Sequence, residues 1–377
     1  MDIIQFIFLA VRRALFGEDM LPEKMPDLKK VYAAAQKRGI ENIVAYGLWD
    51  RRDSFPEDVW SLFEKSIYRA MAQEARQEKA LAAFLEVLGH GGTPHMILKG
   101  YVLKKLYPSS DMRYMGDIDI LIPPEKKETA REILHQMGFR INFENMRELN
   151  AVNDAGVDLE IHFDMVSPDY KVWHAYYEDI WERAIKGERG AYFLSDEDYF
   201  IYHIVHLTKH YKGTGIGPRV FLDVFLYLSK KRNTLDFAYL EAELGKLGLW
   251  GFTKNVIALS EMWFGEGERT PLLSDMEAYV LESDLYGSRA HAAAFGALDT
   301  IRKGKLKRIF RILFPTMHTM SILYPALRNK KYLLWYYYIK RLFDRAFHGR
   351  RSAVPEKNAE TAKKAAEIAA HFEALGL

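Results

Sequence analysis

The sequence has no cysteine and almost no excess charge of either sign. Its 377 residues include 53 Lys and Arg against 51 Asp and Glu. The lack of cysteine excludes a disulfide scaffold, thiolate-bound zinc, iron–sulfur clusters and a cysteine nucleophile. With 49% hydrophobic and 28% charged residues, the composition is that of a globular protein. At roughly 100–200 residues per domain, the length predicts two or three modules.

Long hydrophobic runs are also absent. The apolar stretch that ends at Val11 is much shorter than the ~20 residues that cross a bilayer. Asp2 precedes this stretch and Arg12 and Arg13 follow it, which reverses the charge order of a secretory signal. We therefore expect no transmembrane segment and a cytoplasmic protein.

The balanced total charge conceals a basic segment near the C-terminus. Residues 301–351 hold 14 Lys and Arg and one acid, Asp344, so the rest of the chain is net acidic. Such a block predicts an anionic partner, either nucleic acid or a membrane surface, unless it is a solvated face that balances the acidic remainder. Aromatic residues between the basic ones, such as Trp335 and Tyr336, either stack on bases or pack a helical core.

Hydrophobic periodicity divides the chain into four regions: a helical region over 1–90, an α+β core over 91–190, a helical domain over 191–350 and a tail helix within 351–377. The glycine and proline residues over 91–94 separate the first two. Within the core, residues 95–165 follow the order strand, helix, strand, helix, strand, strand. The predicted fold class is α+β, with a small mixed sheet embedded between helical regions.

Two acidic residues on the second predicted strand indicate a metal site. Asp117 and Asp119 are two positions apart, so both side chains lie on one face of the strand, while Ile118 and Ile120 face the core. Two neighbouring carboxylates repel each other unless a cation lies between them, and oxygen ligands suit Mg²⁺ or Mn²⁺. If the strand over 157–163 pairs beside the first, Glu160 supplies a third carboxylate.

A lysine and a glycine lie where the first strand of the core meets its helix. Gly100 allows backbone amides to approach a phosphate, and Lys99 can reach a phosphate as a point charge. This strand–glycine–helix unit followed by Asp-x-Asp is more specific than either part alone.

These motifs resemble a bacterial family known as uncharacterised nucleotidyltransferase, within the DNA polymerase β-like superfamily. The stretches that carry the resemblance are 98–100, 106–108 and 113–122. The superfamily usually has Gly-Ser where this chain has Lys99-Gly100, and the subfamily is marked by Lys-Gly. The resemblance implies transfer of a nucleoside monophosphate from a nucleoside triphosphate to an acceptor.

The resemblance also implies a set of site residues. Two Mg²⁺ ions, or Mn²⁺ in their place, are expected on Asp117, Asp119 and Glu160, with Glu160 acting alternatively as the general base. The expected nucleotide and phosphate contacts are Lys99, Gly100, Arg113, Gly116, Lys209, His210 and Arg219. The last three belong to a second stretch that is similar to the family, a helix ending in Lys-His followed by a glycine-rich loop.

Other interpretations of these residues remain open. His203, His206 and His210 share one face of a helix and could bind zinc, line the nucleotide pocket or seal a seam between domains. Asp158 and His162 are second choices for a metal or acceptor contact. The alternatives to an enzyme are a catalytically degenerate nucleotide-binding regulator and a nucleic-acid-binding protein that uses 301–351. The acceptor, whether small molecule, protein or RNA, is not specified by any motif.

Overall fold

The structure is a computed structural model that describes residues 2–213, 215–282, 314, 317, 320, 324, 327, 331–347 and 359–377. The chain forms two compact units. The first comprises Met1–Tyr211, Gly215–Gly287 and Leu375–Leu377, and the second comprises Lys212–Thr214 and Ser288–Ala374. The division of the chain into four regions stays a prediction.

Most described residues lie in helices. Their bounds are α1 Ile3–Phe16, α2 Leu28–Lys37, α3 Glu41–Leu48, α4 Glu57–His90, α5 Gly100–Leu103, α6 Lys127–Gln136, α7 Lys171–Tyr176, α8 Ile180–Arg183, α9 Asp196–Gly213, α10 Arg219–Lys231, α11 Phe237–Lys246, α12 Trp250–Phe264, α13 Pro271–Leu281, α14 Leu334–Phe347 and α15 Ala359–Ala374. Among these described helices none is long and apolar enough to cross a membrane. Helices α1 to α4 lie in the stretch 1–90, for which the sequence predicts a helical region.

A five-stranded mixed sheet forms the centre of the first unit. Its strands are β1 Met96–Ile97, β2 Asp117–Leu121, β3 Arg140–Glu144, β4 Glu148–Val152 and β5 Asp158–His162. Their spatial order is β1-β2-β5-β4-β3, and only β2 and β5 pair in parallel. A separate hairpin contains β6 Ile185–Lys186 and β7 Tyr192–Phe193. The mixed sheet and flanking helices confirm the α+β fold class.

The core lies on the face of the sheet opposite the acidic residues. Ile118, Ile120, Leu159 and Ile161 are at most 1% exposed, as their alternation with polar residues predicts. Helices α4 and α6 cover this face through Leu81, Phe84, Leu88, Ala130, Ile133 and Leu134. Because one face is packed in this way, the side chains that alternate with the core residues are held on the other.

Sequence reasoning missed β4. Its sequence Glu-Leu-Asn-Ala-Val is short but alternates, and Leu149 and Ala151 are fully buried on the core face of the sheet. The strand forms an antiparallel ladder with β5 on one side and with β3 on the other. Because β5 pairs with β4 on one side and with β2 on the other, it lies in the interior of the sheet.

The basic segment 301–351 falls mainly outside the described residues. Within its described part, Tyr338 belongs to a small buried cluster with Met320 and Leu327. On the same helix, α14, Trp335 and Tyr336 are exposed. The helix expected in the tail is confirmed as α15.

Candidate active site

The acidic residues of β2 and β5 meet in register. Asp117 lies opposite Asp158, and Asp119 lies opposite Glu160. Neighbouring strands are only about 4.8 Å apart, so the side chains of each pair lie close together on the face of the sheet opposite the core. Asp119 is buried, whereas Asp117 is exposed at the start of β2, directly after Gly116. The sequence predicted that Glu160 would join the two aspartates only if its strand paired beside β2, and β5 does pair with β2.

Lys99 and His162 complete the centre of this cluster. Lys99 Nζ lies 2.5 Å from Asp119 Oδ1 and 3.3 Å from His162 Nε2. His162 Nε2 lies 2.7 Å from the same Asp119 oxygen and 3.7 Å from Glu160 Oε2. Ligand atoms of Asp119, Glu160 and His162 all lie within 4.8 Å of one another, which is close enough to share one cation. The Lys99 ammonium already serves as a cation at this position.

The backbone of Lys99 has an unusual conformation. Its φ is 49° and its ψ is −125°, a region that residues other than glycine rarely adopt. The Tyr199 hydroxyl on α9 donates a hydrogen bond of 2.5 Å to the Lys99 carbonyl. Such strain persists only where surrounding contacts hold it, and it is common at functional sites. The contact with Tyr199 therefore orients the backbone that carries the Lys99 side chain.

The cluster perturbs the ionisation of its carboxyl groups. Burial and the negative charge of Asp119 raise the pKa of Glu160 to about 8. Although part of the Asp117 side chain is exposed, the surrounding protein reduces the hydration of its carboxylate, and this effect and the charge of Asp119 raise its pKa. Burial opposes the ionisation of Asp119, but Lys99 and His162 hold its pKa well below the usual range. Without a bound metal, Asp119 is therefore the carboxylate that the cluster keeps charged, whereas the shift at Glu160 favours its protonated form.

Gly100 is required by close packing as well as by any phosphate contact. A Cβ atom there would lie only 2.7 Å from Met115 Sδ and closer still to Arg113 Nη1. Arg113 in turn makes two hydrogen bonds of 2.8 Å to Asp223 on α10, one from Nε and one from Nη2. Asp223 is completely buried and also accepts a hydrogen bond from Tyr107. This network attaches the turn after Lys99 to α10.

The predicted phosphate contacts of the second stretch lie on α9 and α10. Burial and the positive charge of Lys99 lower the pKa of Lys209, and the negative charge of Glu160 partly opposes this shift. Burial, together with Lys209 and Lys99, lowers the pKa of His210 to about 4, so this side chain is neutral at pH 7. Arg219 Nη1 donates a hydrogen bond of 2.7 Å to the carbonyl oxygen of Tyr114, in the loop before β2.

The three histidines of α9 do not form a metal-binding group in the part of the chain that the structure describes. The rings of His206 and His210 lie 4.4 Å apart, between centroids. His203 is buried, and its Nε2 has no hydrogen-bond partner among the described residues. Burial lowers the pKa of His203 to about 4.

The structure thus brings Lys99, Asp119 and Glu160 together and adds His162, which the sequence offered only as a second choice. It gives Arg113 a buried carboxylate partner, Asp223. Sequence reasoning also missed Tyr199, because no local pattern indicates a contact with a residue 100 positions away. The only available signal for His162 was its alternation with Glu160 on β5.

Comparison with known proteins gives one result. A family model described as uncharacterised nucleotidyltransferase matches residues 24–265, which is more than half of the chain. The matched region contains the five-stranded sheet, the cluster around Asp119, and helices α9 and α10. Neither the curated proteins nor the solved structures include a match to this chain.

Proposed function

The chain belongs to the uncharacterised nucleotidyltransferase family, and from this premise we propose that it transfers a nucleoside monophosphate from a nucleoside triphosphate to an acceptor hydroxyl. One observation carries the proposal: the parallel pairing of β2 with β5 aligns Asp119 with Glu160, on the face that also holds Lys99. Adjacent carboxylates bind divalent metal, and a lysine supplies positive charge for phosphates.

In this reaction the acceptor oxygen forms a bond to the α-phosphorus. The bond between that phosphorus and the bridging oxygen of the β-phosphate breaks, pyrophosphate leaves, and the acceptor hydroxyl releases its proton to water. Charge accumulates on the leaving pyrophosphate and on the α-phosphoryl oxygens. Fixed positive charge around those atoms therefore supplies most of the catalysis that the protein can offer.

The ligand atoms of Asp119, Glu160 and His162 suit one divalent ion, because they converge within 4.8 Å and two of the three residues, Asp119 and His162, already contact the Lys99 ammonium. A divalent ion held there would neutralise phosphate charge and lower the pKa of the acceptor hydroxyl. Asp117 lies outside this group but on the same face, where we propose that it contributes to a second metal position. We propose Mg²⁺ or Mn²⁺ as the ion.

Lys99 and Lys209 would bind the triphosphate. Their positive charges repel each other, and the charge of Lys99 is one of the causes of the lowered pKa of Lys209. A polyanion placed between the two lysines relieves this repulsion. His210, neutral at pH 7, would contribute a hydrogen bond rather than a charge. Arg113 and Arg219 would support phosphate binding indirectly, because they hold the turn at Gly100 and the loop before β2.

The test is transfer of label from nucleoside triphosphates labelled at the α-phosphate. Each triphosphate would be incubated with the full-length protein and Mg²⁺ or Mn²⁺, with and without host lysate, and pyrophosphate release would be measured in parallel. We expect metal-dependent turnover that Asp117→Asn and Asp119→Asn both abolish. The matched control is Asp154→Asn, an exposed acid in the turn before β5, which should have no effect.

Wild-type turnover in both variants would refute the assignment of the site. A rise in melting temperature with metal and triphosphate, without any pyrophosphate release, would instead support the alternative of a nucleotide-binding regulator. Salt-dependent binding of single-stranded RNA or DNA would favour the nucleic-acid alternative, since release of counterions predicts a steep dependence on salt.

A further inference from the structure

We propose that His162 is a metal ligand and that its nitrogen makes the site favour first-row transition ions such as Mn²⁺ over Mg²⁺. The inference deepens the proposed function, on which it rests for the presence of a metal. It concerns which ion the site selects, a property that neither the two-aspartate motif nor the family description specifies.

The fold places His162 among the carboxylates. It is the last residue of β5, two positions after Glu160, so both side chains lie on the same face of the sheet. The His162 side chain is only 14% exposed, and its Nε2 atom is the part that faces Asp119 and Glu160. The imidazole is therefore directed into the cluster by the strand itself.

The contacts of Nε2 show that this nitrogen faces a cation. The Lys99 ammonium has only donors, so at 3.3 Å it can interact favourably only with the lone pair of His162 Nε2. If Nε2 is protonated instead, it donates to Asp119 Oδ1 at 2.7 Å. Nε2 cannot accept a hydrogen bond from Lys99 and donate one to Asp119 at the same time. A divalent ion in place of the ammonium would bind both the Asp119 oxygen and the His162 lone pair.

The donor set determines the preference. Mg²⁺ takes oxygen ligands in a near-ideal octahedron and keeps much of its water. Imidazole nitrogen is a better ligand for first-row transition ions, whose affinity for nitrogen-containing sites rises from Mn²⁺ along the series. Two carboxylates would suit either class of ion, so the nitrogen of His162 is the feature that separates them.

The direct test uses Mn²⁺ as the probe, added alone to the full-length protein. Pulsed electron paramagnetic resonance detects ¹⁴N nuclei bound to Mn²⁺. We expect a histidine ¹⁴N coupling in the wild type that disappears in His162→Gln, whose amide oxygen can reach a similar position. Absence of the coupling in the wild type, or its persistence in His162→Gln, would overturn the proposal. So would a failure of Mn²⁺ to bind at millimolar concentration.

A second measurement compares affinities. Free Mn²⁺ is counted by its resonance signal, and Mg²⁺ is titrated in competition. We expect Mn²⁺ to bind more tightly than Mg²⁺. In His162→Gln the Mn²⁺ affinity should fall at least about tenfold, since losing even a group that only supports a ligand costs on the order of 10- to 100-fold. The Mg²⁺ affinity should fall less, because an amide oxygen suits Mg²⁺, so the ratio of the two affinities falls. His135→Gln, at an exposed position on α6, is the matched control. An unchanged ratio in His162→Gln would contradict the proposal.

These measurements separate this inference from the proposed function. Asp119→Asn should abolish Mn²⁺ binding, which assigns the ion to this cluster. If Mn²⁺ binds with ¹⁴N coupling but no triphosphate is turned over, the proposed function fails and the metal assignment stands. If turnover occurs but the ratio of affinities does not depend on His162, only the metal assignment fails.

Discussion

Replacing Lys99 with methionine should remove the positive charge that neutralises Asp119. The stability of the variant should then depend on a bound metal ion. The ion pair between Lys99 and Asp119 is mostly buried, with side chains 19% and 7% exposed. In Lys99→Met the Asp119 carboxylate loses its cationic partner, while the new side chain is unbranched and similar in length to the lysine stem. A divalent ion then has no ammonium to displace.

The expected cost follows from this burial. Removing one partner of a buried ion pair costs about 3–5 kcal/mol, because the remaining charge is left without compensation. His162 still contacts Asp119 in the variant, so we expect the lower end, about 3 kcal/mol. With Mn²⁺ present, the ion replaces the lost charge in Lys99→Met, whereas in the wild type it must first break the existing pair. The difference in stability should then shrink below about 1 kcal/mol.

The assay is unfolding in urea, followed by circular dichroism, with chelator and with millimolar Mn²⁺. Lys105→Met is the matched control, since Lys105 lies next to α5 but is exposed. It should change the free energy of unfolding little in either condition. The reasoning would be refuted if Lys99→Met is as stable as the wild type in chelator, or if Mn²⁺ stabilises the two proteins equally.

Three further predictions concern the turn, its support and the acidic cluster. Gly100→Ala should lose about 1–3 kcal/mol of stability through overpacking against Arg113 and Met115, seen as a lower melting temperature. Asp223→Asn should cost about 3–5 kcal/mol in urea unfolding, because it leaves the Arg113 guanidinium buried without its carboxylate; the double variant Arg113→Met, Asp223→Leu should recover much of this loss. Apparent Mn²⁺ affinity should rise about tenfold per pH unit up to the Glu160 pKa of about 8 and then level off, since binding must release the proton from Glu160. An affinity that is the same at pH 6 and pH 8 would contradict the last.

The chemistry of the candidate site was readable from local sequence. Asp117, Asp119 and Glu160 alternate with apolar residues, and a period of two determines which side chains share a face. The Lys-Gly pair after the first strand was likewise visible. These features depend on neighbouring residues along one strand, so the sequence alone determined the α+β class and the types of ligand.

Only the tertiary structure decided how these residues meet. The parallel pairing of β5 with β2 joins strands about 40 residues apart, and β4, a strand that sequence reasoning missed, flanks β5 on its other side. The contacts of Tyr199 with Lys99 and of Asp223 with Arg113 span 100 and 110 residues. Such pairings follow from the contacts of α9 and α10 with the segment between β1 and β2, which no local periodicity encodes. The packing also shows that Gly100 is crowded by Arg113, a constraint that its position in the motif did not reveal.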